Sequence, residues 1–267
     1  MIDKNLFIHP LELEAFEELR DSTYFDEEVM DYYKNFDEKL KKPDLLGKTV
    51  MVAEKQFASV YNLAKKVANI LDMEIPSMYV YEDFYYGVEA KGTENPWIEI
   101  SAKTLTDFTE DELLFLISRE MCSIKLKHYY YDILIDESLS AFEQHQIVPG
   151  TEIVMKSLKV SMYKWSRISQ YSEDCFGYIM CESLAPCVNA ILKLILNNSY
   201  LAGNVDLPSY LRQAEKINRL DDTVYNATKL DEKVPYGPFR IKYLISYASS
   251  ERGIEAFQSI LRGNKIC

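Results

Sequence analysis

The sequence predicts a mainly helical α+β fold with a small three- or four-stranded sheet. Apolar residues recur at helical spacing over most of the chain. Three short β-rich runs cluster between residues 77 and 101. The bulk numbers agree: 267 residues with 48% hydrophobic content can bury a sizeable core, enough for one large domain or two small ones.

Taken in order, residues 1–45 read as an acidic helical extension and 46–267 as the main domain. Helices are expected over 11–20 and 25–40. Charge runs such as Asp26-Glu27-Glu28 read as solvated faces. A linker is expected near Lys42-Pro43-Asp44 and Gly47. From Lys55 to Leu71, Phe57, Val60, Leu63, Ala64 and Val67 recur with helical periodicity. Residues 77–81 alternate and are rich in β-formers. Two further strands are expected at Tyr85-Tyr86-Gly87-Val88 and over 97–101, separated by a turn at 92–96.

Thr109 opens a helix predicted to reach His128. Its hydroxyl and the Glu112 carboxylate fit a capping box, each meeting a backbone N–H that the first turn leaves free. Leu113, Leu116, Ile117, Glu120, Ile124 and His128 then fall near one stripe. The rest reads as helices over 151–166, 170–181, 184–197, 207–219, 238–248 and 252–262. Pro149-Gly150 and Pro235-Tyr236-Gly237-Pro238 punctuate them.

Composition excludes several function classes. A net charge of −12 repels phosphate backbones and anionic lipid, so nucleic acid is not an expected partner. No apolar run reaches the roughly 20 residues of a bilayer crossing. The opening MIDKNLFIHP lacks a signal-peptide layout. Five cysteines, an odd count without framework spacing, read as free thiols in a reducing compartment. The expected location is therefore cytoplasmic. The twenty tyrosines read as boundary-layer packing.

The chemistry is concentrated in the helix after Thr109. A zinc-peptidase helix carries H-E-x-x-H, with two His four residues apart on one face and a Glu beside the first. Here those positions read Arg119, Glu120, Met121, Cys122 and Ser123. Three blocks of sequence are similar to the HtpX-like peptidases, the family that includes the CAAX prenyl protease. The first is SAKTLTDFTEDELLFLISREMCSIKLKH. The second joins Tyr163-Lys164-Trp165-Ser166-Arg167 to the run from Gln170 to Gly177. The third is Pro235-Tyr236-Gly237-Pro238-Phe239-Arg240-Ile241-Lys242-Tyr243-Leu244. His9-Pro10-Leu11-Glu12 also resembles the opening of soluble members.

The resemblance implies a zincin-like metallopeptidase fold and places the family's residues one by one. Its two helix His fall on Arg119 and Ser123, and its third zinc ligand, a Glu, falls on Gln170. Its general base falls on Glu120, its supporting Asp on Asp174, and a His outside the zinc shell on His128. Arg has no lone pair to offer at working pH, Ser is a weak neutral ligand, and Gln lacks charge. Complete structural zinc sites owe about 10–16 kcal/mol to several good donors acting together. No zinc and no other cofactor is therefore expected, and Glu120 would have no activated water to deprotonate.

Arg119 can bridge Gln170 and Asp174, which lie four apart on one helical face, in place of the metal. The alternative is that it points to solvent. A metal site rebuilt from Cys122, Cys175 and His128 is a further alternative, set against burial of both thiols as small hydrophobes. His128 is expected to cap its helix, His9 to be structural, and His145 to lie in a polar surface loop. Three readings of function stand at this point. One is a catalytically inactive homologue, a pseudopeptidase that binds an extended peptide or protein as an added strand. The second is an active metalloendopeptidase with an atypical site. The third is a structural subunit whose acidic N-terminal helices meet an assembly.

Overall fold

The structure is a computed structural model that describes residues 2–22, 34, 38–144, 151–222, 228 and 231–263. After a short 3-10 turn at Lys4–Leu6, α1 covers Glu12–Ser22. The helix expected over 25–40 lies outside the described residues, apart from Lys34 and 38–40. The expected linker is a correction: α2 runs Glu38–Lys48 with Pro43 inside it. The surrounding turn is exposed, so the carbonyl that Pro43 leaves unpaired can meet water. Leu45 is buried beside Tyr79 and Trp97, and Lys48 reaches Asp44 at 2.6 Å. Packing here overrides a poor local propensity.

Among the described residues the sheet has four strands in the order β1-β2-β4-β3: β1 (Val50–Met51), β2 (Ser77–Tyr81), β3 (Val88–Lys91) and β4 (Trp97–Ser101). β2 and β4 pair in parallel, while β1 and β3 pair antiparallel on either side of them. A helix, α3 (Ala58–Leu71), lies between β1 and β2 in the chain. The strand expected at 85–88 begins only at Val88. The Gly87 amide, the donor a ladder to β4 would need, goes instead to Thr104 Oγ1, and the Tyr86 amide donates to Asn197 Oδ1.

Short α4 (Ala102–Asp107) leads into α5 (Glu110–Leu126), which opens with the expected capping box. The Thr109 amide meets Glu112 Oε2 at 2.8 Å, and Lys193 closes on the same carboxylate at 2.7 Å. α5 stops two residues short of His128. Lys127 adopts φ 63°, and His128 begins α6 (His128–Gln144) instead of capping α5. A left-handed Lys costs roughly 1 kcal/mol; the buried ties that His128 makes beyond it offset that.

Two helices expected over 151–166 and 170–181 are one helix of 31 residues, α7 (Thr151–Cys181). The serines that read as a break have other uses. Ser166 Oγ donates to Asp132, and Ser169 Oγ donates back to the Ser166 carbonyl within the helix. α8 (Leu184–Leu196), α9 (Ser199–Ala202), α10 (Leu207–Arg219), α11 (Gly237–Ala248) and α12 (Glu251–Gly263) complete the described elements. Mainly helical with a small mixed sheet, the molecule has the α+β class that the periodicities predict.

α5 and α7 cross at the centre of the core. Phe115, Leu116, Ile117, Met121 and Cys122 from α5 meet Cys175, Phe176 and Ile179 from α7, all fully buried or nearly so. Gly177 permits the close approach. A Cβ there would stand 2.6 Å from the Phe115 ring and 3.1 Å from the Phe115 carbonyl oxygen. A smaller cluster docks α1: Ala15 and Leu19 pack with Ile135, Met162 and Trp165. Trp165 sits among Phe16, Tyr131 and His128, while Arg167 turns away to the Glu232 carbonyl. Among the described residues no helix is long and apolar enough to cross a membrane.

Candidate functional site

The crossing of α5 and α7 sets the sequence-predicted residues against one another. Arg119 leaves α5 toward α7 and is almost wholly buried, its side chain 7% exposed. Its Nη2 donates to Gln170 Oε1 and, at 3.2 Å, to Glu173 Oε2. Its Nε stands 2.6 Å from Asp174 Oδ1, off the N–H axis, which makes that contact an ion pair more than an aligned hydrogen bond. Nη1 lies 3.8 Å from Glu120 Oε1. The guanidinium thus faces Gln170 and Asp174, as the one-face spacing allows, and Glu173 as well.

The network extends beyond the expected residues. Arg240 from α11 grips the same Asp174 in a bidentate pair, Nε to Oδ2 at 2.8 Å and Nη2 to Oδ1 at 2.7 Å. His128 contacts Glu173 Oε1 through Nδ1 at 3.1 Å and Glu12 Oε1 through Nε2 at 3.0 Å. Glu12 also accepts from Ser172 Oγ, whose oxygen in turn accepts from the His9 amide. Five helices, α1, α5, α6, α7 and α11, are therefore tied through one buried set of charges.

At three groups of that set neighbouring charges and hydrogen bonds outweigh the cost of burial. Burial works against charge on Arg119, but Asp174, Glu173 and Glu120 outweigh it and hold the guanidinium firmly protonated. Burial likewise pulls His128 down, yet its bonds to Glu12 and Glu173 push it up to about 10, so it is a cation near neutrality. Asp174 would be raised by burial and is instead lowered by Arg240 and Arg119. Glu120 is the exception. Burial, aided by Glu173, pushes it up to about 8 against the pull of Arg119. Near pH 7 the protonated Arg119 and His128 then face the carboxyl groups of Glu173 and Asp174, with Glu120 largely protonated.

Ser123 lies one turn along α5, buried, and borders the same groove as Arg119, Glu120 and Gln170. That groove is a cavity of about 910 Å³ lined by residues 88–91 of β3 and also by Tyr129 and Lys233. The Ala90 amide on β3 donates to Glu120 Oε2 at 2.9 Å. Cys122 and Cys175 are buried with thiols pushed well up by desolvation, and both ring nitrogens of His128 are engaged elsewhere. Among the described residues no three His, Cys, Asp or Glu side chains gather as a metal-holding group. His145 lies outside the described residues. His9 packs against Tyr171 and Tyr243, whose rings also meet each other at 4.7 Å between centroids.

Sequence reasoning missed Glu12, Glu173 and Arg240 as members of the network. A signal existed for each of them. Glu173 and Asp174 stand side by side before the apolar run Cys175-Phe176, and two adjacent carboxylates entering a core demand cations. Arg240 and Glu12 each lie in a stretch already singled out.

In comparison with known proteins, the chain is similar to the plastoglobule-localized metallopeptidase 48, chloroplastic, of Arabidopsis thaliana. The two are 19% identical over 177 residues, which is 65% of this chain and 51% of the relative. The chain thus spans about half the length of that protein. No protein-family model matches the chain, and no solved structure matches it. The similarity supports a metallopeptidase-like relationship.

Proposed function

We propose that this chain is a non-catalytic relative of the HtpX-like zinc metallopeptidases, a pseudopeptidase on a zincin-like fold that keeps the groove and binds extended peptide. The observation that carries the reading is the Arg119 guanidinium, seated between α5 and α7 against Gln170, Glu173 and Asp174. The donor set does not fit zinc. Arg119 offers only N–H donors, Ser123 only a neutral hydroxyl, and the Gln170 amide oxygen already accepts from Arg119. A dication about 4 Å from the guanidinium would meet repulsion of several kcal/mol even at an effective dielectric near 20. The similarity to a metallopeptidase supports the ancestry, and the β3 edge beside the cavity supports strand addition.

The test is metal analysis of purified protein after equilibration with zinc. The chain itself is expected to retain far less than one zinc per molecule. The triple variant Arg119→His, Ser123→His and Gln170→Glu is expected to take up zinc and gain thermal stability by binding it. Stoichiometric zinc on the unaltered chain would end this reading and favour an active peptidase.

A further inference from the structure

The register of β3 fixes which of its backbone groups are available. The Ser101 amide donates to the Gly87 carbonyl at 3.0 Å, so those two face each other as a hydrogen-bonded pair. Glu89 opposite Glu99 has the same phase, two residues on. Val88 and Ala90, opposite Ile100 and Ile98, therefore turn their N–H and C=O groups away from β4. Among the described residues β3 ends the sheet, so this outward row faces α5 and the groove. A peptide lying there as a fifth strand would pair with Val88 and Ala90, about 4.8 Å out from β3.

Part of that row is already taken. Glu120 Oε2 accepts the Ala90 N–H at 2.9 Å, from a side chain that is 14% exposed and borders the cavity. We propose that Glu120 is a built-in plug of the β3 edge, so that an incoming peptide strand must displace it from the Ala90 amide. The inference rests on the groove reading above and deepens it. It also changes the sense of the retained Glu: in place of a base acting on water, it is a competitor for the docking strand. Displacement is feasible because it exchanges one acceptor for another at Ala90 and returns a desolvated carboxyl to water. The same exchange sets the cost, since an edge amide without an acceptor inside the groove would be unfavourable.

Two readouts test it. The first is amide hydrogen exchange at Ala90 in the peptide-free protein. Exchange is expected to speed up at least tenfold in Glu120→Ala and to stay within about threefold of the unaltered rate in Glu120→Gln, which keeps an acceptor oxygen. The second is anisotropy with a fluorescently labelled pool of end-blocked ten-residue peptides of mixed sequence. Glu120→Ala is expected to bind the pool about tenfold more tightly than the unaltered chain, and Glu120→Gln within about twofold of it. Unchanged Ala90 exchange in Glu120→Ala, or measurable pool binding by both proteins that is no tighter for Glu120→Ala, overturns the plug and leaves the groove standing. If neither the chain nor Glu120→Ala binds the pool, the groove reading falls, and the plug falls with it.

Discussion

Replacing Arg119 by Ala removes the cation at the centre of the buried network. Glu173 and Asp174 stay behind at 2% and 0% side-chain exposure. Breaking one side of a buried ion pair generally costs about 3–5 kcal/mol, because the remaining charge is uncompensated. Here each carboxylate keeps a second cation. Asp174 retains the Arg240 fork at 2.7 and 2.8 Å, and Glu173 retains His128 at 3.1 Å. That places the loss near the lower end, about 3 kcal/mol. Unfolding entropy of about 2.1 cal/mol/K per residue over 267 residues gives roughly 0.56 kcal/mol/K. The melting temperature is then expected to fall by about 5 °C. Differential scanning calorimetry at pH 7 measures it. Because the charges are buried, the fall is expected to persist at high salt, unlike that of a surface pair. A shift of under about 1 °C would refute the account of Arg119 as the structural tie between α5 and α7.

The pH dependence follows from His128, whose folded-state pKa is raised from 6.5 to about 10. Its stabilising share is full below about pH 6.5 and is lost as pH rises through 10. The stability gap between the unaltered chain and His128→Gln is therefore expected to be widest near pH 6 and to narrow toward pH 10. Chemical denaturation across that range reads it, and a constant gap contradicts a protonated His128. Gly177→Ala forces a methyl into the Phe115 ring and carbonyl at the helix crossing. It is expected to cost about 1–3 kcal/mol by overpacking, measured as a lower denaturant midpoint with unchanged slope; a neutral result would mean that α5 and α7 are farther apart.

How much the sequence disclosed varied with what held each element. Where local chemistry decides, it was legible. The Thr109–Glu112 capping box, the strands at 77–81 and 97–101, and α10 at 207–219 all stand at their expected residues. Where tertiary partners decide, it was not. Pro43 sits inside α2 because Leu45 is anchored, and β3 starts late because Thr104 captures the Gly87 amide. α7 runs unbroken because Ser166 and Ser169 find partners that leave the helix intact.

The site divides in the same way. Arg119 facing Gln170 and Asp174 was readable from spacing on one helix face. Glu12 joining through His128 was not, because it lies 116 residues away in the chain, and nothing local links the two. The break at Lys127 was hidden for a related reason: no Gly or Pro marks it, and the contacts beyond it make the left-handed turn worthwhile.

The most direct measurement is anomalous diffraction at the zinc edge from crystals of the unaltered chain equilibrated with zinc. The account predicts no anomalous peak between α5 and α7, and guanidinium density contacting Gln170, Glu173 and Asp174. A zinc peak about 2.0–2.3 Å from donors on those two helices, with Arg119 turned out to solvent, would contradict it.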